Sequence, residues 1–309
     1  MASKNNPTLD FLDIVHQRCV DEYHSIVSCN PKIDAGHSVN HVIKVESWTS
    51  RAINEFLEMI KNNDNSLLKN DTWTREGLEF PSDVLFRIKI ASLLHEVGDS
   101  KFSSSSTPGG QAADINGINT TIIKTKEELI SDIVTRVLID YSLYSSDMVS
   151  DIITIIDLCS ASNWGNRIPD GTKLYQLIPR WADRVEATGY IGIIRTLLYS
   201  YKKIDSQPLC LELDEFPTTV KELYEFAPYS RWELYTLHNK KSVSGYSHFL
   251  DKIIHINGND VPVPALRDEL NNGQLIIIRT GNHIGTILKL SWCTLLEKII
   301  LFFIVLFSL

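Results

Sequence analysis

Three segments of the chain carry side chains able to hold a cation or move a proton. The stretch "KIASLLHEVGDSKF", Lys89 to Phe102, ends an apolar helical run in His95, Glu96, Asp99 and Lys101. The segment "GHSVNHVIKV" sets His37 and His41 four residues apart, and "RWADRVEATG" carries Asp183 and Glu186 within an otherwise apolar amphipathic stretch. Imidazole nitrogens and carboxylate oxygens are ligands for zinc, manganese, iron or magnesium, and a metal centre gathers them from several elements onto one point. A carboxylate turned toward a core must find a partner, because an unpaired buried charge is very costly. The zincin pattern HExxH is excluded, because Asp99 stands where its second histidine would be.

The elements that must position these residues read as helices. Phe11, Ile14, Val15, Cys19 and Val20 recur near the helical period, as do Val42, Val45, Trp48, Ala52, Phe56 and Ile60, with Ser38 or Asn40 as the second helix's N-cap. A third helix opens at Pro81, with Ser82 or Asp83 as its cap. It turns Leu85, Ile88, Ala91, Ser92 and His95 to one face and stops at Gly98. The serine- and glycine-rich stretch "SKFSSSSTPGGQAADINGINT" reads as a long loop. Thr125 and Glu128 stand at capping-box spacing, and Ser145 or Ser146 caps the next helix. "LYQLIPRWADRVEATGYIGIIRTLLYSYKK" reads as one long helical stretch, with Pro179 kinking it or setting its start. Two short helices follow in "TVKELYEFAP" and "SGYSHFLDKIIHI". After residue 256 the character changes, and the β-branched runs around "TGN" in "QLIIIRTGNHIGTILKLSW" predict a hairpin. The expected architecture is an all-α domain over 1–256 and a separate, atypical segment over 257–309.

Composition bounds the function classes. The chain has 309 residues, 43% of them hydrophobic and 22% charged, with a formal net charge of −8. That balance argues against non-specific nucleic-acid binding, which needs a basic footprint, and leaves room for a nucleotide substrate in a local positive pocket. Cys19, Cys29, Cys159, Cys210 and Cys293 are odd in number, widely spaced and without a CxxC, which fits reduced thiols in a cytoplasmic compartment. The start of the chain has no apolar run of the secretory type. The last residues, "IILFFIVLFSL" (299–309), are almost wholly apolar. Eleven helical residues reach about 16 Å against a hydrocarbon core of about 30 Å, so a core-packing or partner-seeking tail is expected ahead of membrane contact through 299–309. The abrupt change in composition also fits a replaced tail, from a shifted frame or a retained intervening segment.

In order, "GHSVNHVIKV", "LLHEVGDSKF", "ADRVEATGYIGIIR" and "SVSGYSHFLDKI" resemble the HD-domain metal-dependent phosphohydrolase superfamily, in particular its compact single-domain hydrolases. The likeness runs from about Ala35 to Ile254. It implies a helical bundle in which His41, His95 and Asp183 hold one divalent ion (Mn, Zn, Fe or Mg), with Glu96 as fourth ligand where the family has aspartate. Asp99, Lys101, Gly189, Gly192 and Arg195 also match family positions. Glu96, Asp99 and Lys101 become catalytic candidates, and Lys101, Arg195 and His248 become candidates for binding substrate. No histidine lies between His95 and His238, which fits one ion rather than two. The implied reaction is hydrolysis of a nucleotide or another small phosphate ester. The alternative is a catalytically inactive HD-like domain that binds a nucleotide or a protein partner.

Overall fold

The computed structural model describes residues 7–29, 37–62, 81, 83–97, 125–138, 145–160, 164–202, 210, 215–237 and 242–290. Among them every regular element is a helix and no strand occurs. No described helix is long and apolar enough to cross a membrane. The apolar residues 299–309, the long loop after Lys101 and the expected stop at Gly98 lie outside the described residues. The chain forms two compact units, Met1–Asp183 and Arg184–Leu309.

The first unit is built around α3 (Val84–Leu94), which packs against α1 (Pro7–Ser28), α2 (Val39–Lys61) and α5 (Ser146–Cys159), while α4 (Lys126–Leu138) covers α5 and α1. α3 is buried on nearly every side, as its run of apolar residues demands. Ile88, Ile90, Leu93 and Leu94 are almost wholly inaccessible, each contributing on the order of 2 kcal/mol by burial. The face expected for this helix is corrected at Leu85. Leu85 is exposed and Arg87 is buried, because Arg87 bonds Asp83, Asp147 and Asp151 at 2.9, 2.8 and 3.1 Å. In α1 the buried stripe is Val15, Cys19 and Tyr23, while Ile14 faces out. The caps at α4 and α5 form as the sequence predicts: Thr125 and Glu128 bond reciprocally, and Ser145 Oγ accepts from the Met148 amide.

The long stretch from Leu174 is two helices, α6 (Leu174–Glu186) and α7 (Gly189–Lys202), with Pro179 inside the first. The break comes from glycine chemistry. Gly189 has φ +61°, a conformation that L side chains rarely adopt, and Gly192 lies so close to the end of α6 that a Cβ there would sit 2.2 Å from the Ala187 carbonyl oxygen. The second unit continues with α8 (Val220–Phe226), α9 (Tyr229–Leu237), α10 (Gly245–Asp251), a 3₁₀ turn (Ile253–His255) and α11 (Pro264–Leu290). α11 corrects the expected hairpin. Leu266, Leu270, Gly273, Ile277 and Gly281 are buried at helical spacing, against α7, α8 and the 3₁₀ turn. Gly281, read as a turn residue, instead admits the Phe249 ring, whose Cζ would lie 2.4 Å from an added Cβ.

Gly192→Ala tests the break between α6 and α7. Alanine favours a helix by about 1 kcal/mol over glycine, yet the clash with backbone should leave the variant about 1–3 kcal/mol less stable. Urea denaturation measures this, and an equal or greater stability would refute the close approach.

Candidate metal centre

The first unit converges three donors from three elements. His41 stands in the first turn of α2, where Ser38 starts the helix. His95 is the residue at which α3 ends, and Asp183 occupies the last turn of α6. His41 Nε2 lies 3.3 Å from Asp183 Oδ1, and His95 Nε2 lies 3.5 Å from the same oxygen. The two rings meet edge to face, with centroids 5.3 Å apart. Ligating atoms of all three residues lie within 4.8 Å of one another. Both imidazoles are buried, while the Asp183 side chain keeps 21% of its exposure, which leaves the cluster an opening.

His95 is oriented by its own helix. Its Nδ1 lies 2.7 Å from the Ser92 carbonyl oxygen, which only accepts, so Nδ1 carries a proton. In the neutral ring Nε2 is then a bare lone pair, buried and 3.5 Å from a carboxylate oxygen. Two electron-rich atoms in that position call for a positive species between them, a proton or a metal ion. A tetrahedral ion with bonds of about 2.1 Å has donor–donor edges of about 3.4 Å, close to the 3.3 and 3.5 Å separations here. The chemistry and spacing of the donor set therefore fit a divalent cation.

Without an ion, charge is shared within the cluster. Burial alone would raise the Asp183 pKa, but the hydrogen bonds and charge of His41 and His95 outweigh it and hold the carboxyl well below its usual range. Burial likewise works against a charged His95, but Asp183, with help from Glu96, outweighs it and raises that imidazole's pKa.

Glu96 is the one other expected site residue described in the first unit. Glu96, expected as a fourth ligand, does not join the group of mutually close donors. Its Oε2 accepts from the Tyr23 hydroxyl at 2.8 Å, and its Oε1 lies 3.7 Å from His41 Nε2 and 3.8 Å from His37 Nε2. Sequence reasoning passed over Tyr23. The available signal was its place four residues after Cys19 in the apolar stripe of α1, where it brings that stripe's one hydroxyl. Asp99 and Lys101 lie outside the described residues. Arg195 belongs to the second unit, where its Nη1 donates to the Glu186 carbonyl at 3.2 Å. His248 is also in the second unit, where burial, then the charge of Lys252, lowers its pKa to about 3.

No protein-family model matches the chain. An uncharacterized protein of Acanthamoeba polyphaga mimivirus, L803, is 30% identical to it over 224 residues, 72% of this chain and 76% of the viral protein. The chain belongs to the L803 family. A structural-genomics crystal structure of a Lactobacillus plantarum protein superposes with TM-score 0.51 at 14% identity, covering 94% of this chain and all of that one, a likeness of fold.

For chelator-treated protein the cluster sets a pH window. Asp183 has a folded pKa below its unfolded value of about 3.9, so its contribution is complete above about pH 4 and fades as pH falls. His95 has a folded pKa above its unfolded value of about 6.5, so its contribution is complete below about pH 6.5 and fades as pH rises through the folded value. Urea melts should show the pair's full stabilisation between about pH 4 and 6.5, and Asp183→Asn should flatten both limbs. An Asp183→Asn profile of unchanged shape would count against the pairing.

Proposed function

We propose that this chain is an HD-type, metal-dependent phosphohydrolase acting on a nucleotide or another small phosphate ester. The observation that carries the reading is the buried, tautomer-fixed His95 Nε2 facing Asp183 Oδ1 beside His41. His41, His95 and Asp183 would hold one divalent ion. That ion supplies Lewis acidity, polarising a phosphoryl oxygen and making water nucleophilic near neutral pH. The order of the four sequence segments supports the assignment to the HD class.

The chain's own residues do the positioning. The Ser92 carbonyl keeps the proton of His95 on Nδ1, so that Nε2 stays a donor to the cation. Asp183 brings negative charge to a cluster that is otherwise neutral imidazole, and its partial exposure leaves one side open to substrate. Glu96 Oε1, 3.7 Å from His41 Nε2, would accept a hydrogen bond from water at the rim of the cluster. Arg195 and Lys101 are proposed to neutralise phosphate charge, and His248 to contact substrate, as the family likeness implies.

Metal analysis and a substrate panel test this reading together. The purified protein should carry one equivalent of Mn, Zn, Fe or Mg, and His95→Ala should lose it. Phosphate or pyrophosphate release should appear with some member of a panel of deoxynucleotides, nucleoside monophosphates and pyrophosphate compounds, and fall by about 100-fold or more in Asp183→Asn. A stoichiometric ion without turnover would instead identify an inactive HD-like binding domain, and protein that takes up no ion would remove both.

A further inference from the structure

The Glu96 carboxylate is buried next to the three donors without belonging to their group. Two features keep it there. Tyr23, itself inaccessible, donates its hydroxyl to Glu96 Oε2 at 2.8 Å and lies 3.0 Å from the His37 carbonyl oxygen. One hydroxyl thus ties α1 to the segment leading into α2 and to the end of α3. The second feature is length. An aspartate at position 96 would withdraw the carboxylate by about one C–C bond, roughly 1.5 Å, and could not keep a 2.8 Å contact to this hydroxyl.

In this arrangement Glu96 stands beside the three donors that lie within 4.8 Å of one another without belonging to their group. Yet Oε1 is 3.7 Å from His41 Nε2, and loss of the Tyr23 bond would free the side chain to swing toward the cluster.

We propose that Tyr23 is a positioning residue that holds the Glu96 carboxylate outside the coordination of the ion, fixing the centre at three protein donors, His41, His95 and Asp183. This rests on the metal-centre reading above. Two histidines and one carboxylate with the remaining positions open make a site of nitrogen–oxygen character that keeps room for substrate. With Glu96 admitted, the ion would gain a second carboxylate and lose an open position. The glutamate then serves the site as a hydrogen-bond acceptor at its edge, at a distance set by α1.

Co(II) added to the metal-depleted full-length chain reads this directly, because its d–d bands report donor number and geometry. Tyr23→Phe should change the bands and raise Co(II) affinity by about tenfold, because the released carboxylate adds a charged ligand to the ion. Glu96→Gln, alone or combined with Tyr23→Phe, should keep the wild-type bands, because no carboxylate is left to enter. Tyr23→Phe with wild-type bands or weaker binding would overturn the proposal. So would Glu96→Gln alone altering the bands, which would mean that Glu96 already ligates; that variant decides the matter even if Tyr23→Phe fails to fold. A wild-type chain that takes up no Co(II) would overturn the metal reading itself, an outcome distinct from the others.

Discussion

A carboxylate facing two imidazoles inside a helical core is the constraint around which the first unit is arranged. Asp183 would be expelled from such a place if nothing positive met it, and His95 would prefer water to a site where burial disfavours its charge. Together they tolerate burial because each supplies the charge that the other needs, whether the positive species is a proton or a metal ion. This requires three backbones to deliver side chains to one point. α3 stops at Leu94, so His95 can fold its Nδ1 back onto the Ser92 carbonyl. α2 starts at Val39, so His41 sits in its first turn, and α6 ends three residues after Asp183, where Gly189 turns the chain.

Much of this was legible in the sequence, and the reasons are specific. The helices announce themselves through apolar spacing and caps, as at Thr125 and Ser145, because those signals are local. His41, His95 and Asp183 stood out because polar groups interrupt apolar faces in a recognisable order. The failures share one cause, which is that the deciding contact is remote. Arg87 carries no local signal of its burial, because Asp147 and Asp151, which meet it, lie some 60 positions later. Tyr23 reads as core until Glu96 reaches its hydroxyl. The hairpin around Gly281 followed from β-branched propensity, which is weak next to tertiary packing, and no local rule shows that this glycine makes room for Phe249.

The same remote contacts explain how donors on separate helices can be placed finely enough for chemistry. Asp151, on α5, is bonded by Arg87 of α3 at 3.1 Å and by Tyr175 and Gln176 of α6 at 2.9 and 2.6 Å. One carboxylate therefore joins the two helices that carry His95 and Asp183. Residues 87 and 95 are eight apart, and so are 175 and 183, a rise of about 12 Å along each helix. α3 and α6 are thus pinned at one level by Asp151 and meet again, the same distance along, at the imidazole of His95 and the carboxylate of Asp183. Burial and the adjacent Asp151 charge hold the Tyr175 hydroxyl in its protonated, donating form. Apolar burial alone sets the register less sharply, since the hydrophobic effect is not directional, whereas a largely buried carboxylate holding three donors leaves unsatisfied charge at any other register. An error of about 1 Å at a reacting centre can cost about 100-fold in rate, so the polar cluster at residue 151 does for the helix register what the Ser92 carbonyl does for the His95 ring.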